Sequence, residues 1–239
     1  MTPSSVKRDL VSLADIASDL PALLERAARL KSDRRRGVRR PILAGKNLAM
    51  IFEKPSTRTR ISFEVAMTDL GGHALYLSNR DLQLSRGETI ADTARALSRF
   101  VDGLTYRAFH HDDLAELARA ASVPVINALD DLEHPCQTVA DLLTMHERWR
   151  GRFRGHRLAW VGDGNNVLHS LLLGAAAVGL DVTAATPVGF DPRADVVAKA
   201  RELAGVSRAR IELTHDPAEA ARTNPESEIP SSTPRRSAE

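Results

Sequence analysis

Four consecutive residues, Ser56, Thr57, Arg58 and Thr59, combine three hydroxyls with a guanidinium. The apolar run NLAMIF before them reads as a strand. After them, Phe63, Ala66, Met67 and Leu70 recur at the i, i+3, i+4, i+7 spacing of a helix that Gly71 closes. The quartet therefore falls at a helix N-terminus. Unsatisfied backbone N–H groups and the positive end of the helix dipole favour an anion there, and the side chains add donors of the kind phosphate needs. A bare Ser-Thr-Arg would read as an ordinary cap beside a surface arginine; the residues flanking this one favour phosphate.

Two more polar residues occupy chemically useful places. Arg107 ends a predicted strand, and His134 lies in the turn after the following one, so both can face the crevice beyond the strand carboxyl ends where α/β proteins bind ligands. Taken singly, Arg107 reads as a surface ion pair and His134 as a polar turn residue before proline. Cys136, two residues from His134, invites a thiolate-nucleophile reading. The segment LAWVGDGNN, a strand, a glycine-rich turn and a helix start, invites a dinucleotide-binding one. The latter is a poor match, because Val167 stands at the third glycine position and the next strand ends in Thr186-Pro187 with no acidic residue to hold a ribose. The eight histidines include no His-x-x-x-His pair, and His110 and His111 are adjacent, so no metal and no cofactor is expected.

The elements that must carry these residues alternate between short β-rich runs and helical patterns, which predicts an α/β fold with two doubly wound parallel-sheet domains. An opening helix is expected around Asp15–Lys31. Strands follow at Asn47–Phe52, Ala74–Leu77, Gly103–Arg107 and Pro124–Asn127. The stretch Arg148–His156 reads as a connector. Beyond it come strands at Leu158–Val161, Val182–Thr186 and Arg210–Leu213, with helices at Val167–Val178 and Arg193–Leu203. The boundaries implied are 1–150 for the first domain, 151–222 for a second and incomplete one, and 223–239 for a disordered tail rich in proline, serine and charge.

Composition narrows the function classes. A chain of 239 residues that is 43% apolar can bury two modest cores. Its net charge of +2 argues against nucleic acid, although five arginines crowd between Arg34 and Arg40, a pattern usual for a solvated loop. One cysteine excludes an internal disulfide framework, and neither a leader-like apolar region nor a membrane-length apolar run is present. A cytoplasmic protein is expected.

The segment FEKPSTRTRISFE, followed in order by LGGHALYL, GETIADTARALSRF, HPCQTVADLLTM and GDGNNVLHSLLLGAA, resembles the transcarbamoylase family from about Asp9 to Arg222. Several motifs in one order are far more specific than any one. Phe-Glu-Lys before Pro55-Ser56-Thr57, and Asn165-Asn166 after Gly162-Asp163-Gly164, favour the ornithine branch over the aspartate branch. The resemblance implies transfer of a carbamoyl group from carbamoyl phosphate to the δ-amine of L-ornithine, giving L-citrulline and phosphate, in arginine or urea-cycle chemistry. By the same resemblance Ser56, Thr57, Arg58 and Thr59 bind the phosphate, and Thr59, Arg107 and His134 hold the carbamoyl oxygen. Gln137 would contact the carbamoyl nitrogen. Gln83 would reach into a neighbouring subunit's site, which implies a homotrimer. Asn166, with Asn165, would meet the backbone groups of ornithine, and Asp163 would order the turn. The substrate amine attacks directly in this family, which sets aside a covalent role for Cys136.

The family's later segments, an Asp, a Ser-Met-Gly loop and a His-Cys-Leu-Pro run, do not occur in this sequence. The match breaks after RIELTHDPAEAAR as it would after a frameshift or premature stop. That leads to three expectations: a second sheet with an exposed edge, impaired turnover, and phosphate binding that outlives catalysis. A non-catalytic carbamoyl-phosphate-binding remnant or subunit partner, and transfer to another amine such as putrescine or acetylated ornithine, are the alternatives.

Overall fold

The structure is a computed structural model and describes residues 7–78, 82–83 and 87–222. The expected tail at 223–239 lies outside the described residues. In chain order the elements are α1 (Leu20–Arg35), β1 (Asn47–Phe52), α2 (Thr57–Asp69), β2 (His73–Ser78), α3 (Ile90–Leu97), β3 (Gly103–Arg107), α4 (His111–Ala120), β4 (Val125–Leu129) and α5 (Pro135–Trp149). There follow β5 (Arg157–Val161), α6 (Asn166–Val178), β6 (Asp181–Ala185), α7 (Ala194–Ser207), β7 (Ile211–Thr214) and α8 (Pro217–Arg222).

The first sheet is parallel with strand order β2-β1-β3-β4. Side chains alternate across a strand, and β1 is buried on both faces. Leu48, Met50 and Phe52 pack with Met67 of α2, whereas Ala49 and Ile51 pack with Ala94 of α3 and with Leu114 and Leu117 of α4. The chain passes from β1 outward to β2 and then back to β3 on the other side. This reversal opens a crevice at the carboxyl ends of β1 and β3, the usual ligand position in a doubly wound sheet.

The second sheet, order β5-β6-β7, is also parallel. Val182, Ala184 and Ile211 pack with α6 and α7 in a core that also takes in Leu20 and Leu24 of α1 and Leu142 of α5. Thr183 and Ala185 are buried as well, which leaves α8 to cover the other face. β5 is an outer strand, and Val161 on it is 61% exposed. Among the described residues no strand pairs with the outer side of β5.

Outside the opening helix, most elements differ from the sequence reading by one to four residues at an end, α7 most of all at its end, Ser207 against the expected Leu203, and two differences from that reading have a plain physical reason. The single opening helix is instead a 3-10 turn, Leu13–Ile16, followed by α1. Ser12 and Asp15 cap the turn reciprocally. Pro21 begins a new helix, because a proline ring cannot donate into the preceding turn and clashes with the carbonyl four residues back. The connector is also shorter than expected, since α5 runs on to Trp149 and Arg150 ends it in the left-handed conformation, φ 53°.

Candidate active site

Ser56 is the N-cap residue of α2, yet its hydroxyl makes no cap bond; it donates to Thr59 Oγ1 at 2.9 Å. The side chain that would ordinarily satisfy a first-turn amide is thereby turned along the helix, leaving that end open to an acceptor from outside. Arg58 on the same turn is exposed. Arg60, one turn position on, is engaged elsewhere, with its guanidinium 3.8 Å from the centroid of the Tyr76 ring and its Nε donating to Glu64.

Arg107 closes β3. Its backbone carbonyl accepts from Glu53 N–H at 3.0 Å, which ties the end of β3 to the exit of β1. Opposite it, the register with β4 slips: Tyr106 pairs with Asn127 but Arg107 with Leu129. Leu129 lies at φ 145°, a backbone region that non-glycine residues rarely enter. Such a bulge re-aims the chain, and here it leads directly into the turn that delivers His134 to the N-terminus of α5.

These parts converge. A single cavity of about 270 Å³ is lined by Ser56, Arg58, Thr59, Ser62, Phe63, Arg107, Leu129, His134, Cys136, Gln137 and Ala140. Arg107 Nε and His134 Nδ1 are both buried and have no hydrogen-bond partner among the described residues. Buried polar atoms are nearly always paired, so two unpartnered nitrogens on residues that line one cavity are candidate donors to a ligand. Burial, assisted by the nearby Arg107 charge, pushes the His134 pKa down to about 4, so its imidazole is neutral at physiological pH. Burial also lowers the Arg107 pKa, and a guanidinium nonetheless stays charged. The site therefore offers two guanidinium cations, Arg58 and Arg107, one neutral imidazole, the three hydroxyls of Ser56, Thr59 and Ser62 and an open helix end, a set suited to an acyl phosphate.

Of the residues expected to hold the phosphate and carbamoyl groups, Ser56, Arg58, Thr59, Arg107, His134 and Gln137 line this cavity. Gln137 also donates to Asp141 at 2.9 Å. Thr57, at the first position of α2, and the exposed Gln83 are not among its lining residues. Asn165 and Asn166 lie at the start of α6. Asn165 spends its amide oxygen on capping, accepting from Val167 and Leu168 N–H, and Asn166 Nδ2 donates to the Asp130 carbonyl at 2.6 Å. Cys136 is a structural thiol: Sγ donates to the Asn127 carbonyl and burial raises its pKa to about 12, the opposite of nucleophile activation.

Sequence reasoning missed Ser62, Phe63, Leu129 and Ala140 as lining residues. Phe63 was readable only as a core position of the helix, and the unusual backbone of Leu129 has no local signature. The glycine-rich turn after β5 also has a structural explanation. A Cβ on Gly164 would stand 2.2 Å from Pro192 N, so that glycine answers the close passage of the 190–192 segment. Among the described residues no group of three or more His, Cys, Asp or Glu side chains is arranged to hold a metal, and no helix is long and apolar enough to cross a membrane.

Comparison with known proteins agrees with this geometry. Residues 8–147 match the pattern described as "Aspartate/ornithine carbamoyltransferase, carbamoyl-P binding domain", and residues 154–224 match "Aspartate/ornithine carbamoyltransferase, Asp/Orn binding domain". An ornithine carbamoyltransferase of Picrophilus torridus is 53% identical over 212 residues, covering 89% of this chain and 69% of the relative. One from Anoxybacillus flavithermus is 53% identical over 214 residues, covering 89% and 68%. The solved structure of ornithine carbamoyltransferase from Pyrococcus furiosus superposes with a TM-score of 0.86 at 51% identity, covering 91% of this chain and 70% of that one. A mitochondrial ornithine carbamoyltransferase from Coccidioides immitis gives 0.84 at 35% identity, covering 90% and 71%. The chain thus spans 70% of the length of the Pyrococcus furiosus protein. With both patterns matched in order, the chain belongs to the aspartate/ornithine carbamoyltransferase family.

Proposed function

We propose that this protein transfers the carbamoyl group of carbamoyl phosphate to the δ-amine of L-ornithine, giving L-citrulline and phosphate. The observation that carries the reading is the convergence of Ser56, Arg58, Thr59, Arg107 and His134 on one cavity, with Arg107 Nε and His134 Nδ1 buried and unpartnered. The phosphate binds the open N-terminus of α2, with Thr57 contributing from the same turn and Arg58 closing over it. Thr59, Arg107 and His134 direct donors at the carbamoyl oxygen, where negative charge grows as the tetrahedral intermediate forms. Gln137 holds the carbamoyl nitrogen. The neutral δ-amine attacks the carbamoyl carbon, the new C–N bond replaces the C–O bond to phosphate, and the amine's proton leaves with the departing phosphate.

Asn166, with Asn165 shaping the start of α6, meets the α-amino and α-carboxylate groups of ornithine. Residues 1–150 form the carbamoyl-phosphate domain and 151–222 the amino-acid domain. The active assembly is a cytoplasmic homotrimer in which Gln83 of one subunit completes a neighbour's site.

A radiolabelled citrulline assay tests the reading. Citrulline formed above background from carbamoyl phosphate and ornithine supports it. Saturable carbamoyl-phosphate binding without turnover favours a binding role instead. Absence of both contradicts it.

A further inference from the structure

We propose that helix α6 positions His134: the stripe Asn166, His169 and Ser170 clamps the Asp130–His134 turn and so sets where the imidazole stands in the cavity. The inference rests on reading that cavity as the carbamoyl-phosphate site.

Helix α6 is otherwise apolar and deeply packed, burying Leu168, Leu171, Leu172, Leu173, Ala175 and Ala176. Its polar residues 166, 169 and 170 fall at i, i+3 and i+4, which places them on one face. His169 and Ser170 on that face are buried. A polar side chain in such a core is costly unless its bonds are made, and each of these three bonds goes to a backbone atom of the same turn. Asn166 Nδ2 donates to the Asp130 carbonyl at 2.6 Å, His169 Nδ1 to the Leu132 carbonyl at 2.8 Å, and the His134 N–H donates to Ser170 Oγ at 2.9 Å.

The turn is held from its other side too. The buried Asp130 carboxylate accepts from Asn127 Nδ2 and from the N–H groups of Leu132 and Glu133, and it pairs with His111 Nδ1 at 2.7 Å. Buried Glu133 accepts from Ser170 Oγ and from Leu13 N–H. The His169 ring is fixed at both ends, since Nδ1 donates to Leu132 while Nε2 accepts the Arg193 N–H at 3.0 Å. That pattern requires the neutral Nδ1–H tautomer.

Among the described residues His134 Nδ1 has no hydrogen-bond partner, so the place of the ring is inherited from its backbone. Misplacement of a catalytic group by about 1 Å can cost on the order of 100-fold in rate. A clamp on three backbone groups of its turn, the Asp130 and Leu132 carbonyls and the His134 N–H, is the means by which this fold controls that placement. The clamp comes from the second half of the chain while the cavity belongs to the first, so the two halves are coupled through this turn.

The experiment compares the full chain with Ser170→Ala, His169→Ala, His169→Asn and a control, Val178→Ala, which trims the apolar packing at the far end of α6. Carbamoyl-phosphate affinity is measured by calorimetry, and the His134 titration by NMR on labelled histidine. Ser170→Ala and His169→Ala are expected to weaken binding about tenfold, the scale of one lost buried hydrogen bond. Both should also raise the His134 midpoint from about 4 towards the ordinary 6.5. His169→Asn, whose amide keeps a donor for Leu132, should recover both, and Val178→Ala should move neither at comparable loss of thermal stability. Unchanged His134 behaviour in Ser170→Ala and His169→Ala, or an equal change in Val178→Ala, overturns the proposal. If Ser170→Ala does not fold, the two His169 variants make the comparison. If the parent binds no carbamoyl phosphate, the site reading fails, while the His134 titration still decides the role of α6.

Discussion

Replacing Arg107 with methionine should push stability and ligand binding in opposite directions. The arginine is half-buried, its Nε is enclosed without a partner, and burial already lowers its pKa. In the free protein the guanidinium is therefore a cost borne for function. An unsatisfied buried polar atom is worth about 1–3 kcal/mol, and methionine keeps most of the apolar stem. Unfolding free energy should hold or rise by about 1 kcal/mol, given partial exposure of the group. Carbamoyl-phosphate binding should lose one charge-assisted hydrogen bond, about 1.5–3 kcal/mol or roughly 10- to 150-fold in affinity. Urea denaturation without ligand and calorimetry with carbamoyl phosphate give the two quantities on the same samples. If Arg107→Met lost stability and bound as tightly as the parent, Arg107 would be a structural ion-pair residue and the donor assignment would be wrong.

Other consequences are equally open to measurement. Arg58→Ala should weaken carbamoyl-phosphate affinity roughly tenfold with little change in melting temperature, since the side chain is exposed; unchanged affinity by calorimetry would remove Arg58 from the clamp. Iodoacetamide should label Cys136 slowly at pH 8 in the folded protein, because its thiol pKa is raised to about 12; labelling at the rate of the urea-unfolded chain would contradict that. The depressed His134 pKa gives a stability contribution present above pH 6.5 and lost as pH falls from 6.5 towards 4, whereas His111, raised first by its hydrogen bond to Asp130, contributes fully below pH 6.5 and loses that contribution as pH rises through its folded pKa. Labelled-histidine NMR should find the two midpoints on opposite sides of 6.5, and midpoints in the reverse order would refute the burial and pairing described here. Val161→Lys on the outer face of β5 should reduce concentration-dependent association seen by light scattering, because a charge on a free edge opposes pairing with another chain.

Much of the architecture was readable because its signals are local. β1 and β3 fall at Asn47–Phe52 and Gly103–Arg107 as expected, since each is a short apolar run flanked by turn residues. The position of Ser56–Thr59 at a helix N-terminus was readable for the same reason: a strand, four polar residues and a helical period are contiguous. The break between Leu13–Ile16 and α1 was legible in principle, in Ser12, Asp15 and Pro21, but the helical period across it masked the boundary. What remained hidden depends on distant pairs. The motif offers Asn166 as a substrate ligand, and only the fold shows that its Nδ2 also reaches the Asp130 carbonyl, 36 residues earlier. The register slip beside Leu129 depends on how two strands meet, which no single strand records.

The proposed reaction requires an anion held where α2 leaves β1, beside Arg107 and His134. Amide-resolved NMR during titration with carbamoyl phosphate addresses that point directly. The largest shifts should fall on the backbone amides of Thr57, Arg58 and Thr59 and on the Arg107 side-chain N–H, saturating together. Shifts confined to the turn at residues 162–166, or none at residues 57–59 while binding saturates, would contradict it.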